Sequence, residues 1–123
     1  MKRVSIAVGF VLVACAGCHR NSLPPQANAD EARAALITAL EAWKNGETSD
    51  ALAARRPPLY FNDQRCVPEI KLVSYKIEDG HEQYALSVRL RANLTMRLDT
   101  GETKERTVKY LVDTSPNMVI VAE

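Results

Sequence analysis

From Tyr84 to Leu98 the chain alternates without a break. Tyr84, Leu86, Val88, Leu90, Ala92, Leu94, Met96 and Leu98 hold the even positions, and Ala85, Ser87, Arg89, Arg91, Asn93, Thr95 and Arg97 the odd ones. Successive side chains of a strand point to opposite sides of its sheet, so this period of two predicts one long strand with a dry face and a wet face. A helix would spread the apolar residues around its circumference and bury three arginines among them, whereas an antiparallel sheet sends each set to its own side.

A different period precedes it. Ala32, Ala35, Leu36, Ala39, Leu40 and Trp43 recur at intervals of three and four, the single apolar stripe of an amphipathic helix. Asn28 is the expected N-cap, and Glu31 three residues on completes a variant of the capping box. Asn45 and Gly46 end the helix, with Lys44 at the negative end of its dipole. A shorter helix runs from Ser49 or Asp50 to Arg55, anchored by Leu52 and stopped by Pro57 and Pro58. Leu59, Tyr60 and Phe61 suit an edge strand, because the prolines before them cannot donate to a ladder. A turn at Asn62 and Asp63 follows. Ile70 to Glu78 reads as a strand whose Val73, Tyr75 and Ile77 share one face, and Asp79 to His81 turns it into the long strand.

The hairpin after Leu98 can be set in register from the sequence. A two-residue loop at Thr100 and Gly101 would put Glu105 and Lys109 on the apolar face. A three-residue loop, Asp99 to Gly101 with Gly101 left-handed, pairs position 98 with 102 and brings Val108, Tyr110 and Val112 opposite Ala92, Leu90 and Val88. The second register is expected, since the first buries unpaired charge. Asp113 to Asn117 then turns the chain into a short closing strand at Met118 to Val121. These elements predict an α+β domain over residues 29–123, an N-terminal helix packed on a curved antiparallel sheet of four to five strands.

The chain has 123 residues, room for one modest core. Its formal charge is +1, but without residues 1–14 there remain 14 basic and 15 acidic residues, so no global positive charge points to a nucleic-acid partner. Residues 1–14 have their own character. Lys2 and Arg3 precede an apolar run from Val4 to Ala14, too short for a conventional bilayer span and the length of a secretory signal. Residues 15–28 include Pro24 and Pro25, have no apolar period and read as a polar tether. Leu12, Val13, Ala14 and Cys15 resemble a bacterial lipobox. The resemblance implies that Cys15 becomes the lipid-modified first residue of an exported, membrane-anchored protein of the cell envelope, facing the periplasm or exterior, with Cys18 as the alternative acceptor. Each buried methylene of such an anchor contributes about 0.8 kcal/mol. If Cys15 carries lipid, Cys18 and Cys66 are left as a candidate disulfide in an oxidising compartment.

The predicted order of helix and curved sheet looks like the cystatin-like roll, especially its NTF2-like version. From Asp30 onward the chain also resembles small lipoproteins of planctomycete-type bacteria, in the stretches Ala39 to Lys44, Pro57–Pro58, Leu72 to Tyr75 and Thr114 to Pro116. These motifs are structural, and what the resemblance implies concerns fold rather than chemistry.

Candidate chemistry is sparse. No glycine-rich phosphate loop, H-E-x-x-H, EF-hand or G-x-S-x-G pattern occurs, and His19 and His81 are far apart, so the sequence calls for no cofactor and no metal. Tyr60, Asp63, Tyr84 and Tyr110 are the residues that would reach a pocket in a roll, with Asp63 after a short strand and the phenols of Tyr84 and Tyr110 facing in, although these two read first as core residues whose hydroxyls reach the rim. Arg89, Arg91, Arg97 and Lys109 share the wet face with Glu105 and Thr107. That face is either an ordinary solvated surface balanced by cross-strand charge pairs or a docking surface for an acidic envelope protein or other polyanion. It carries no aromatic platform for nucleic acid. The sequence therefore favours a noncatalytic, lipid-anchored envelope domain that binds or scaffolds another component. The alternative is a small-molecule carrier or NTF2-like enzyme with a pocket between helix and sheet. Homo-oligomerisation leaves no signature in the sequence.

Overall fold

A computed structural model of the chain describes residues 26–123. Helices α1 (Ala29–Lys44) and α2 (Ser49–Ala53) precede strands β1 (Leu59–Asn62), β2 (Ile70–Ile77), β3 (Glu82–Tyr84), β4 (Ser87–Leu98), β5 (Thr103–Asp113) and β6 (Met118–Ala122). The sheet runs in the order β1-β6-β5-β4-β2, with β3 also paired to β4. It curls into a half-barrel around α1, a shape consistent with NTF2-like and cystatin-like rolls.

Helix α1 begins where its cap predicts. Asn28 Oδ1 accepts hydrogen bonds from the backbone N–H groups of Asp30 at 2.8 Å and Glu31 at 3.3 Å, satisfying two of the donors a helix leaves unpaired at its start. The whole stripe from Ala32 to Trp43 is buried against the sheet. Its alanines let the backbone approach closely, and Trp43 closes the end of the core. The indole N–H donates to the Ile70 carbonyl at 3.0 Å, and the ring lies tilted on Phe61 with centroids 6.4 Å apart. Packed structure reaches back to Ala27, which is buried and donates its N–H to the Leu86 carbonyl at 2.8 Å.

The expected hairpin register holds residue for residue. Val88, Leu90 and Ala92 face Val112, Tyr110 and Val108. Gly101 has φ +85° and donates to the Leu98 carbonyl at 2.9 Å, closing the three-residue loop. Leu36, Leu40, Leu90, Leu94 and Tyr110 fill the space between helix and sheet, none of them more than 1% exposed.

Three features depart from the pattern read along the chain. The alternation from Tyr84 is not one strand. Tyr84 pairs with Ser87 across a tight turn at Ala85 and Leu86, and β4 starts only after it. The Asp79 to His81 stretch does not reverse the chain either, because β2 and β3 both run antiparallel to β4 and so follow one another in the same direction. It is an outward step between two collinear strands, held by Arg33 of α1, whose guanidinium donates to the carbonyls of Glu78 at 3.2 Å and Gly80 at 3.0 Å. The alternation runs on through Ala85 and Leu86, neither of them a typical turn residue, and so conceals the turn, while the two-residue loop inverts the parity and puts Tyr84 on the outer face with Ser87 and Arg89.

The second departure is a bulge in β2. The pairing shifts between Leu72 and Ser74, leaving Val73 as an extra residue, so Leu72 before it and Tyr75 and Ile77 after it all pack toward the core despite opposite parity. Third, β1 is an edge strand as its prolines require, but it runs parallel to β6, with Phe61 opposite Ile120. The sheet is therefore mixed.

Ala85 turns the chain with φ +53°, the left-handed region where a Cβ is crowded by backbone. Ala85→Gly is expected to stabilise the domain by about 1 kcal/mol, raising the urea midpoint at unchanged slope. A lowered midpoint would show that glycine's larger unfolded-state entropy outweighs the relief.

Candidate functional site

The outer face of the sheet, away from α1, carries the charge. In β4 it presents Arg89, Arg91, Asn93, Thr95 and Arg97, and in β5 Glu105, Thr107, Lys109 and Leu111. The neighbour on the other side is β2, which adds Lys71 directly opposite Arg97 and Lys76 opposite Asn93. Arg91 lies directly opposite Lys109. Lys71, Lys76, Arg91, Arg97 and Lys109 are all exposed. Cross-strand residues stand about 5 Å apart, and like charges so placed repel. The Arg91–Lys109 row is flanked by acids, Glu78 on the β2 side of Arg91 and Glu123 on the β6 side of Lys109, whereas no acid stands directly opposite Lys71 or Arg97, and Glu105 faces Thr95. Thr107 Oγ1 donates to Asn93 Oδ1 at 2.7 Å between the two cationic groups. Six residues of strand separate Arg91 from Arg97, roughly 20 Å.

Arg89 has a different fate on the same face. Its Nε and Nη2 donate to the Glu123 carboxylate at 2.8 Å each, and Nη1 donates to Glu82 at 3.2 Å. The guanidinium carbon also sits 4.7 Å from the centre of the Tyr84 ring. Hydrogen bonds from Arg89, with a smaller contribution from Lys109, hold the Glu123 carboxyl below its ordinary pKa. Arg89 thus ties β3, β4 and the end of β6 together, and a balanced solvated surface describes this corner and the row at Arg91 but not the pair of Lys71 and Arg97.

Of the four residues expected to share a pocket, the structure brings two together. Tyr60 projects from the edge strand, 41% exposed, and Tyr84 is 55% exposed beneath Arg89, since the turn at Ala85 detaches it from the inward row. Asp63 and Tyr110 meet inside. The Tyr110 hydroxyl donates to Asp63 Oδ2 at 2.6 Å, and Arg65 donates to Oδ1 from its backbone N–H at 3.0 Å and from Nε at 2.9 Å. The Asp63 side chain is wholly buried. A buried carboxylate is tolerable only with such a complete set of donors. Instead of standing at a pocket mouth, Asp63 pins the loop after β1 to the middle of β5. Arg65 was not visible as a partner in the sequence, although its spacing two residues after a turn aspartate is a local signal for this contact.

Cys66, next in the chain, is buried, and its thiol donates to the Glu47 carbonyl at 3.9 Å. Burial raises the thiol's pKa, which makes it a poor nucleophile. Cys15 and Cys18 lie outside the described residues. Among the described residues no group of three or more His, Cys, Asp or Glu side chains could hold a metal ion, and no helix is long and apolar enough to cross a membrane.

Tyr110 titrates above its ordinary value of 10.0, first because burial disfavours the phenolate and then because Asp63 is beside it. A raised folded-state pKa stabilises the fold at pH values below the unfolded value and loses that stabilisation as pH rises above it. Unfolding free energy should therefore fall above pH 10 by roughly 1 kcal/mol per pH unit from this group. Tyr110→Phe should remove that part of the slope and cost about 1.5–3 kcal/mol at neutral pH, the worth of a hydrogen bond to a charged acceptor. Urea titrations of both proteins between pH 7 and about 11 measure the two effects, and an unchanged alkaline slope in the variant would refute the assignment.

No protein-family model, curated protein or solved structure matches this chain, so what it does must be argued from its own residues.

Proposed function

We propose that this is a noncatalytic, lipid-anchored domain of the cell envelope that docks an acidic partner on the outer face of its sheet. The supporting observation is the cationic group of Arg97 opposite Lys71 with Lys76 further along β2, to which Arg91 and Lys109, flanked by Glu78 and Glu123, add a second row. A surface selected only for solubility would gain from placing Glu opposite Lys71 or Arg97. Keeping them together stores repulsion that a negatively charged partner relieves, and that relief is part of the binding free energy. A span of roughly 20 Å between the rows exceeds one phosphate or carboxylate, so it fits an extended polyanion or the acidic face of a protein. The anchor reading comes from the basic start, apolar run and LVAC order of residues 2–15. The polar tether after Cys15 would hold the domain clear of the bilayer with this face free.

The docking face is tested with long-chain polyphosphate on a resin as the polyanion probe. The variant Arg91→Ser/Arg97→Ser should lose retention several-fold at low salt. The parent's retention should itself fall steeply with added salt, because exposed charges are screened over about 8–10 Å at such ionic strengths. The melting temperature should stay the same or rise slightly, exposed substitutions being worth within about 0.5 kcal/mol. Equal retention of both proteins would make these ordinary strand residues. Arg89→Ser, by contrast, should lower the melting temperature by opening the Glu82 and Glu123 contacts.

Anchoring is tested separately. Mass spectrometry of the mature N-terminus should find lipid on Cys15 with residues 1–14 removed, and Cys15→Ser should release the folded domain from membranes. An intact leader, or a mature chain starting at Cys18, would overturn the Cys15 assignment.

A further inference from the structure

A cleft of about 760 Å³ opens at the end of the sheet where β1 and β6 stop and β5 continues past them. Ser49, Gln64, Arg65 and Arg106 supply its polar wall, and Phe61 and Ala122 its apolar one. Its volume falls within the range of small-molecule sites. The two arginines come from separate parts of the chain and are held differently.

Arg65 is fixed in place. Its Nε and Nη2 are drawn onto the buried Asp63 carboxylate, at 2.9 and 3.3 Å, and its side chain keeps 23% exposure at the cleft. The Nη1 amine is not part of that pair, so a rigidly oriented donor edge remains. Arg106 has no such tie. It lies opposite Leu94, on the same side of β5 as Val108 and Tyr110, beyond the stretch of sheet that α1 covers. Among the described residues no hydrogen bond or ion pair engages its guanidinium. The two carboxylates near the cleft are spoken for, Asp63 by Arg65 and Tyr110, and Glu123 by Arg89. The cleft therefore holds an unpaired guanidinium, Arg106, beside the preset one of Arg65, over an apolar floor.

The geometry points to a binding site for a small organic anion, a carboxylate with an apolar body. Its carboxylate would lie between Arg106 and the free edge of Arg65, where planar guanidinium groups match carboxylate geometry. Its apolar body would lie against Phe61 and Ala122. This site is at the end of the roll and does not depend on the docking face or on the lipid anchor. Tyr110 and Asp63 act in it as positioning residues, since they hold Arg65 and do not reach the ligand.

Benzoate is the probe, titrated into the full-length protein by calorimetry and by NMR. Saturable binding is expected, and Arg106→Gln should weaken it at least tenfold with an unchanged melting temperature, because Arg106 is exposed and supports no other contact. Inorganic phosphate, which lacks an apolar body, should bind at least tenfold more weakly than benzoate. The absence of saturable benzoate binding, an undiminished affinity in Arg106→Gln, or phosphate binding as tight as benzoate would each overturn the proposal. Arg91→Ser serves as the charge control. It removes a cation from the docking face and should leave benzoate affinity unchanged, whereas an equal loss there would reveal nonspecific attraction to a basic protein.

Discussion

Ala92 faces Val108 across the central hairpin, and that pairing commits every side chain of β4 and β5 to one side of the sheet or the other. A shift of one residue would bring Glu105 and Lys109 under α1, where neither could be solvated or paired, so burial enforces the register more strongly than backbone hydrogen bonds alone could. Much of the rest follows. The dry face demands a cover, the stripe of α1 provides it, and the sheet curls to keep contact with a single helix. The wet face must then take whatever charge the odd positions carry.

How that charge is used differs within a few residues. Arg89 and Arg91 stand two positions apart on one strand and point the same way. Arg89 is held by two carboxylates and an aromatic ring, while Arg91 stands between Lys109 and Glu78 with no side-chain hydrogen bond among the described residues. The first arginine serves the fold, joining the corner where β3 meets β4 to the end of β6. The second leaves its guanidinium exposed to solvent. Residue type and spacing are the same for both, and only the neighbours supplied by other strands tell them apart.

The second organising element is the buried carboxylate of Asp63. Without Tyr110 and Arg65 it would be a charged group removed from water with nothing to replace the lost hydration. With them it joins the loop after β1, at one edge of the sheet, to the centre of β5, and it leaves Arg65 rigid beside the cleft. A polar group inside the core thus does for the edge of the sheet what the alanine stripe does for its middle. It also gives the end of the roll a donor whose direction is set by the fold.

What the chain determined by itself was local and periodic. The cap at Asn28, the stripe from Ala32 to Trp43, the anchor at Leu52, the edge position of Leu59 to Phe61 and the three-residue loop at Gly101 are all properties of a few adjacent residues or of a repeating spacing, and they were legible together with the fold class. The register of β4 and β5 was also legible, because only one pairing kept charge out of the core. Tertiary structure decided the rest. The turn at Ala85 was invisible, since the alternation continues through Ala85 and Leu86 with no typical turn residue to mark it, and its two-residue loop inverts the parity and moves Tyr84 to the outer face. The bulge at Val73 reconciled Leu72 with Tyr75 and Ile77 only because β4 offered one residue against two. The direction of β1 beside β6, the meeting of Asp63 with Tyr110 across 47 residues of sequence, and the grouping of Lys71 with Arg97 all depend on which segments become neighbours. A period of two states that a strand has two faces, but the identity of what stands across from each residue is set by long-range pairing.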